Sequence, residues 1–123
     1  MADLTVEQVV AIHSRIIEEG KGDPRIISEA NLHQMVFQAN LIREVVARGA
    51  FIFYSLCAYP AFRQGNFRTA LAVTERVLET EGYRITGDKA GIITLAEGIR
   101  GFTTEPEEIE QWFCNNIRKT LQR

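Results

Sequence analysis

Cysteine is scarce in this chain: two thiols, Cys57 and Cys114, in 123 residues. Two are too few for a disulfide scaffold, and they lack the close spacing of a zinc knuckle or a redox pair. They read as buried thiols of a reducing compartment, with a single disulfide as the alternative. Neither sign of charge is in excess: 14 Lys plus Arg stand against 16 Asp plus Glu, a formal net charge of -2. That balance argues against a grip on bulk nucleic acid. Long apolar runs are missing too. The greasiest stretch, Ala50 to Tyr59, is too short to cross a bilayer. Asp3 and Glu7 interrupt the opening residues, where a secretory signal needs an apolar core. There is no internal repeat, low-complexity tract or linker. The expectation is one cytoplasmic domain over residues 1–123, with neither a membrane nor nucleic acid as partner.

What is present is enough apolar material for one core, with 46% of residues hydrophobic. Val6, Val9, Val10, His13, Ile16 and Ile17 recur at helical spacing and predict a helix from Val6 to Glu19. Thr5 with Gln8 forms its capping box. Gly20, Gly22 and Pro24 then make a loop, and Ser28 is a good cap for a second helix with Leu32, Met35, Val36 and Ala39 on one face. From Glu44 to Tyr59 the chain is apolar almost all round. A buried strand reads the same way, but the run is long for one, so a central helix enclosed by others is predicted. Pro60 ends it. Asn66 to Glu81 is the next helix, stopped by Gly82, and Asp88 to Ile99 a weaker one. Thr104 is the expected cap of a last helix, with Glu107 completing its box and Pro106 in its first turn. Ile109, Trp112, Phe113, Ile117 and Leu121 line its inner face. Phe51, Phe53, Tyr54 and Trp112 read as core volume. No alternating pattern of strands persists. The fold class is therefore all-α, a bundle of about six helices.

One segment is unlike a packing element: Pro60-Ala61-Phe62-Arg63-Gln64-Gly65-Asn66-Phe67-Arg68-Thr69-Ala70. A Gly-Asn turn feeds directly into a helix. Helix starts expose unpaired N–H groups and the positive end of the dipole, glycine lets a phosphate come close, and Arg68 supplies a fork of donors suited to phosphate oxygens. The plainer alternative is a turn with Asn66 as its cap.

These residues resemble the Fic/Doc family, within it the death-on-curing (Doc) branch, whose motif is His-x-Phe-x-Asp/Asn-Gly/Ala-Asn-Lys/Gly-Arg, often followed by Thr-Ala-Leu. Phe62, Gly65, Asn66, Arg68, Thr69, Ala70 and Leu71 fall in that register without a gap. The opening Leu4 to Glu19, the Gly-rich loop at Gly20 to Arg25, Glu81-Gly82-Tyr83 and the acidic Glu107 to Trp112 segment resemble the family as well. The resemblance implies a helical Fic/Doc bundle in which Gly65, Asn66, the backbone of Phe67 and the Arg68 side chain cradle the phosphates of ATP or another nucleotide. Phe62 and Thr69 are then structural. It further implies transfer of AMP, or of a terminal phosphate, from ATP to a hydroxyl of a target protein, a translation factor among the known targets. A small antitoxin is the partner in that branch.

The chain departs from the motif where the chemistry lies. The histidine position, the family's general base, is Pro60, which has no titratable group. The acidic position, which holds Mg²⁺ in the family, is Gln64, and a neutral amide serves that hard cation poorly. The Lys/Gly position is Phe67. Loss of a positioned base costs about 10² to 10⁴ in rate, and loss of the metal removes further charge stabilisation. The resemblance thus implies a Doc-like protein that keeps a phosphate-binding turn, is impaired or silent as a transferase, and has a doubtful need for Mg²⁺. Two alternatives stand: a transferase that uses substitutes such as Tyr59, Arg63 or Gln64, and a binding module that never touches nucleotide. Elsewhere, His13 reads as a hydrogen-bonded core histidine and His33 as exposed, with no ligand spacing for zinc. Arg63 reads either as replacement positive charge or as a solvated loop residue.

Overall fold

The computed structural model describes residues 2–120. Thr5 does cap the first helix, α1 (Val6–Gly20), through the reciprocal pair Gln8 N–H to Thr5 Oγ1 at 3.1 Å and Thr5 N–H to Gln8 Oε1 at 3.0 Å. Ser28 opens α2 (Glu29–Leu41) by accepting from Asn31 N–H at 3.0 Å, and Leu32, Met35, Val36 and Ala39 are all buried. The greasy run is α3 (Val45–Ala58). Its expected end residues are caps: the Glu44 carboxylate accepts from the N–H groups of Val46 and Ala47, and Tyr59 is the first non-helical residue before Pro60. Next come α4 (Asn66–Thr80) and α5 (Lys89–Arg100), the latter capped by Asp88. The last helix, α6, is Pro106–Asn115.

The all-α reading is correct, with six helices among the described residues. The hub is α3, which packs against α2, α4, α5 and α6, while α1 lies on α4. Ile52, Phe53 and Leu56 of α3 are essentially inaccessible, as are Val73 and Leu78 of α4, Ile99 of α5 and Phe113 of α6. At about 25 cal/mol per Å² of apolar surface, this burial is the main term holding the bundle together. Gly49 lets the two central helices close up. A Cβ there would sit 3.3 Å from Leu78 and 3.5 Å from Thr74. Among the described residues, no helix is long and apolar enough to cross a membrane.

Four expectations need correction. First, two short strands, β1 (Tyr83–Ile85) and β2 (Ile117–Lys119), pair antiparallel, with Ile85 opposite Ile117. Three residues are too few for alternation to show, and the pairing partner lies far along the chain. Second, the last helix stops at Asn115, so Ile117 serves β2 and not a helix face; the Asn116 side chain donates to Trp112 O at 2.7 Å. Leu121 lies outside the described residues. Third, the cap of α6 is Glu105 and not Thr104, one residue later than predicted, and Glu108 replaces Glu107 as its partner, accepting from Glu105 N–H at 2.8 Å. Fourth, Cys114 is exposed; both cysteines are free thiols and only Cys57 is buried. Of the aromatic residues expected inside, Phe53 is fully buried, whereas Phe51, Tyr54 and Trp112 are half-buried against the core.

The end of α5 carries strain. Thr103 N–H reaches Gly98 O at 2.9 Å and Phe102 N–H reaches Ile99 O at 3.1 Å, the Schellman pattern that places one residue in the left-handed region. That residue is Phe102, with φ 57° and its ring 72% exposed. A side chain in this region costs about 1–2 kcal/mol, and glycine gives back part of the gain through a freer unfolded chain. Phe102→Gly is therefore expected to raise stability by about 0.5–1 kcal/mol, read as a higher midpoint in urea unfolding.

Candidate functional site

The segment 59–65, between α3 and α4, is fastened on every side. Arg63 N–H donates to Arg25 O at 2.9 Å and Ile27 N–H to Ala61 O at 2.8 Å, an antiparallel bridge between Ile26 and Phe62. Asn31 Nδ2 donates to Pro60 O at 3.0 Å. The Phe62 ring is fully buried and stacks on His13, with ring centres 3.7 Å apart and planes within 9°. Asn66 grips Phe62 at both main-chain groups: its Oδ1 accepts from Phe62 N–H at 3.1 Å and its Nδ2 donates to Phe62 O at 2.7 Å. Gly65 takes φ 80°, and Ile17 and His13 leave little room for a side chain there. Glycine is the residue that meets both demands at once.

His13 comes from the middle of α1 and is 1% exposed. Its Nε2 lies 2.8 Å from the carbonyl oxygen of Gln64. A carbonyl only accepts, so Nε2 carries the hydrogen and donates it. The imidazole thus props the loop from behind. It is not among the groups that line the cleft in front, and its Nε2 has no lone pair to offer a substrate. The sequence reading of a hydrogen-bonded core histidine holds, but its partner, 51 residues away, could not be read from local spacing.

In front of the loop lies a cleft of about 430 Å³. Pro60, Gly65, Asn66, Phe67 and Arg68 line it, so the motif residues are brought together. The start of α4 has no side-chain cap, because its N-cap is Gly65, and the Asn66 amide beside it is spent on Phe62. The first-turn N–H groups therefore have no side chain covering them. Arg63 lines the cleft and is mostly exposed, with its Nε 3.8 Å from Asp23. Asp23 is held more closely by Arg25, at 2.6 Å. Hydrogen bonds from Arg25, followed by weaker attraction from Arg25 and Arg63, hold the Asp23 carboxyl down at about 2. The loop contact thus persists at all but strongly acid pH.

Two predicted residues stand apart from this arrangement. Tyr59 does not line the cleft. Its ring lies edge-on to Tyr54, 6.1 Å away, and its hydroxyl raises the Tyr54 pKa through a hydrogen bond. Gln64 does line it, but its Oε1 accepts from Asp23 N–H at 2.9 Å and ties the two loops together. Among the described residues, no group of three or more His, Cys, Asp or Glu side chains is placed to hold a metal ion. The Gln64 amide, already engaged by Asp23 N–H, does not fit Mg²⁺. Thr69, at the second turn of α4, is fully buried with its hydroxyl unpartnered.

Sequence reasoning missed Arg100. It sits in the last turn of α5 and forms part of the cleft wall. A basic residue at a helix C-terminus normally answers the dipole, and nothing local shows that the fold carries it to the motif loop. Cys57 lines the same cleft from α3 at 5% exposure. Burial pushes its thiol up to about 12, against a weaker opposing pull from Arg100. The thiolate is the reactive form. At pH 8, iodoacetamide is expected to add once per molecule, at Cys114, with Cys57 labelled only after unfolding; peptide mass spectrometry distinguishes the two sites. No family model and no curated protein matches this chain.

Proposed function

We propose that this chain is a Fic-fold protein of the death-on-curing type that binds a nucleotide through its phosphates and has lost the family's usual transfer chemistry. The observation that carries the reading is the cleft at the start of α4. There an uncapped first turn, Gly65 at φ 80° and the Arg68 guanidinium meet, while Pro60 occupies the place of the base. N–H groups and a guanidinium recognise phosphate oxygens without any proton transfer. The anchored loop needs no histidine at position 60 to hold its shape, since His13, Asn66, Gln64 and the Ile26–Phe62 bridge hold it.

Titration calorimetry with ATP tests binding: a dissociation constant at or below the millimolar range is expected, and Arg68→Ala should weaken it about tenfold or more. No heat at millimolar ATP refutes the reading. Incubation with labelled ATP and a cell lysate tests the chemistry. No transfer is expected; label on a protein, abolished by Arg68→Ala, would favour an active transferase with substitute residues.

A second reading, a protein-binding module acting on a small antitoxin or another partner, is favoured by one observation. Phe37 and Leu41 lie one turn apart on α2, each 62% exposed, opposite the buried face of that helix. A pull-down lost with Phe37→Ser and unchanged by Arg68→Ala would support it.

A further inference from the structure

Three guanidinium-bearing residues from three separate elements wall the cleft: Arg63 from the loop, Arg68 from α4 and Arg100 from α5. Among the described residues, no carboxylate lines it. Within the described residues, neither the Arg68 nor the Arg100 guanidinium is hydrogen-bonded or ion-paired. The Arg63 contact with Asp23 is long and exposed, and Asp23 is already matched by Arg25; such a pair contributes little. A side chain at Gly20 would meet Arg68 Nη1 at 3.3 Å, so that guanidinium rests over the end of α1. The chain as a whole is net negative, so this concentration of positive charge is local to the cleft.

The geometry points to a phosphate-chain site that works without a divalent cation, with Arg100 and Arg63 supplying the positive charge that a metal would otherwise bring. This deepens, and rests on, the nucleotide-binding reading above. A bound Mg²⁺ offsets two of the charges on a triphosphate and needs hard oxygen ligands, preferably carboxylates. Here the Gln64 amide oxygen is engaged by Asp23 N–H, and among the described residues no carboxylate joins it in the cleft wall. A divalent ion placed among three guanidiniums is repelled. Arginine instead takes phosphate oxygens in pairs and stays charged at any working pH. The metal-free, more highly charged form of the triphosphate is therefore the preferred ligand.

The test is calorimetric titration of ATP into the intact protein in two buffers, one with EDTA and one with excess MgCl₂, at matched ionic strength. Binding is expected to be several-fold tighter in EDTA. Arg100→Gln should weaken binding in EDTA about tenfold, as loss of a charged hydrogen bond does, with an unchanged thermal unfolding midpoint. Arg100→Lys keeps a point charge but not the fork, and should recover part of the affinity. Binding that requires MgCl₂, or is indifferent to Arg100→Gln, overturns this inference and leaves the nucleotide-binding reading standing. No binding in either buffer overturns both.

Discussion

Arg48→Ala should cost about 3–5 kcal/mol of stability, a large part of the total that a domain of this size possesses. The side chain is 1% exposed in the first turns of α3, yet it has no ion pair among the described residues. It is spent instead on main-chain oxygens: Nε donates to Ile42 O at 2.9 Å, Nη1 to Ala2 O at 3.0 Å and Nη2 to Asn40 O at 3.3 Å. Two of these carbonyls lie at the end of α2, the negative pole of its dipole, so a cation belongs there. Burial pulls the guanidinium pKa below its usual value. Burying a charge is costly in itself, and a well-packed apolar replacement can offset that. Alanine does not, because it takes the guanidinium donors away from the Ile42 and Ala2 carbonyls and leaves the space unfilled. Arg48→Met separates the two effects: it fills much of the volume but donates nothing, and should recover about half of the loss. Urea unfolding followed by circular dichroism measures both variants. A loss under about 1 kcal/mol for alanine would mean that water replaces the guanidinium easily.

Phe62→Ala should be comparably damaging, at about 3–5 kcal/mol for an aromatic side chain removed from a closed site. The ring fills the core and is also one half of the His13 stack, and its backbone is the part that Asn66 holds. Removing it frees both the imidazole and the loop, so the proposed ATP binding should fall even at temperatures where the variant remains folded. Phe62→Leu keeps most of the volume and should cost about 1–1.5 kcal/mol. If alanine lost little stability yet abolished binding, the ring would be serving the ligand and not the fold.

The helices were legible because their signals are local. Apolar spacing over three or four turns, the Thr5 to Gln8 box, the Ser28 cap and a proline after Tyr59 are read within one window of the chain. What escaped was set by partners far away. Tyr83–Ile85 becomes a strand because Ile117–Lys119 arrives beside it. Arg48 looks like any surface arginine until the end of α2 folds over it. The cap of the last helix slipped by one residue because Thr104 and Glu105 both fit, and Pro106 suits the first helical position better than the second. At the site, the Gly65-Asn66 pair located the turn and the start of α4. It did not tell that His13 would brace Gln64, nor that Arg100 would arrive from α5.

The closeness of Arg68 Nη1 to Gly20 has a consequence for how such a protein can change over generations. The tail of α1 forms no part of the cleft, yet the bulk of the residue at position 20 sets how far that arginine can swing. A methyl group there would crowd the guanidinium, and anything larger would turn it aside. In the proposed phosphate site, ligand preference can therefore drift through position 20, with every residue lining the cleft left as it was.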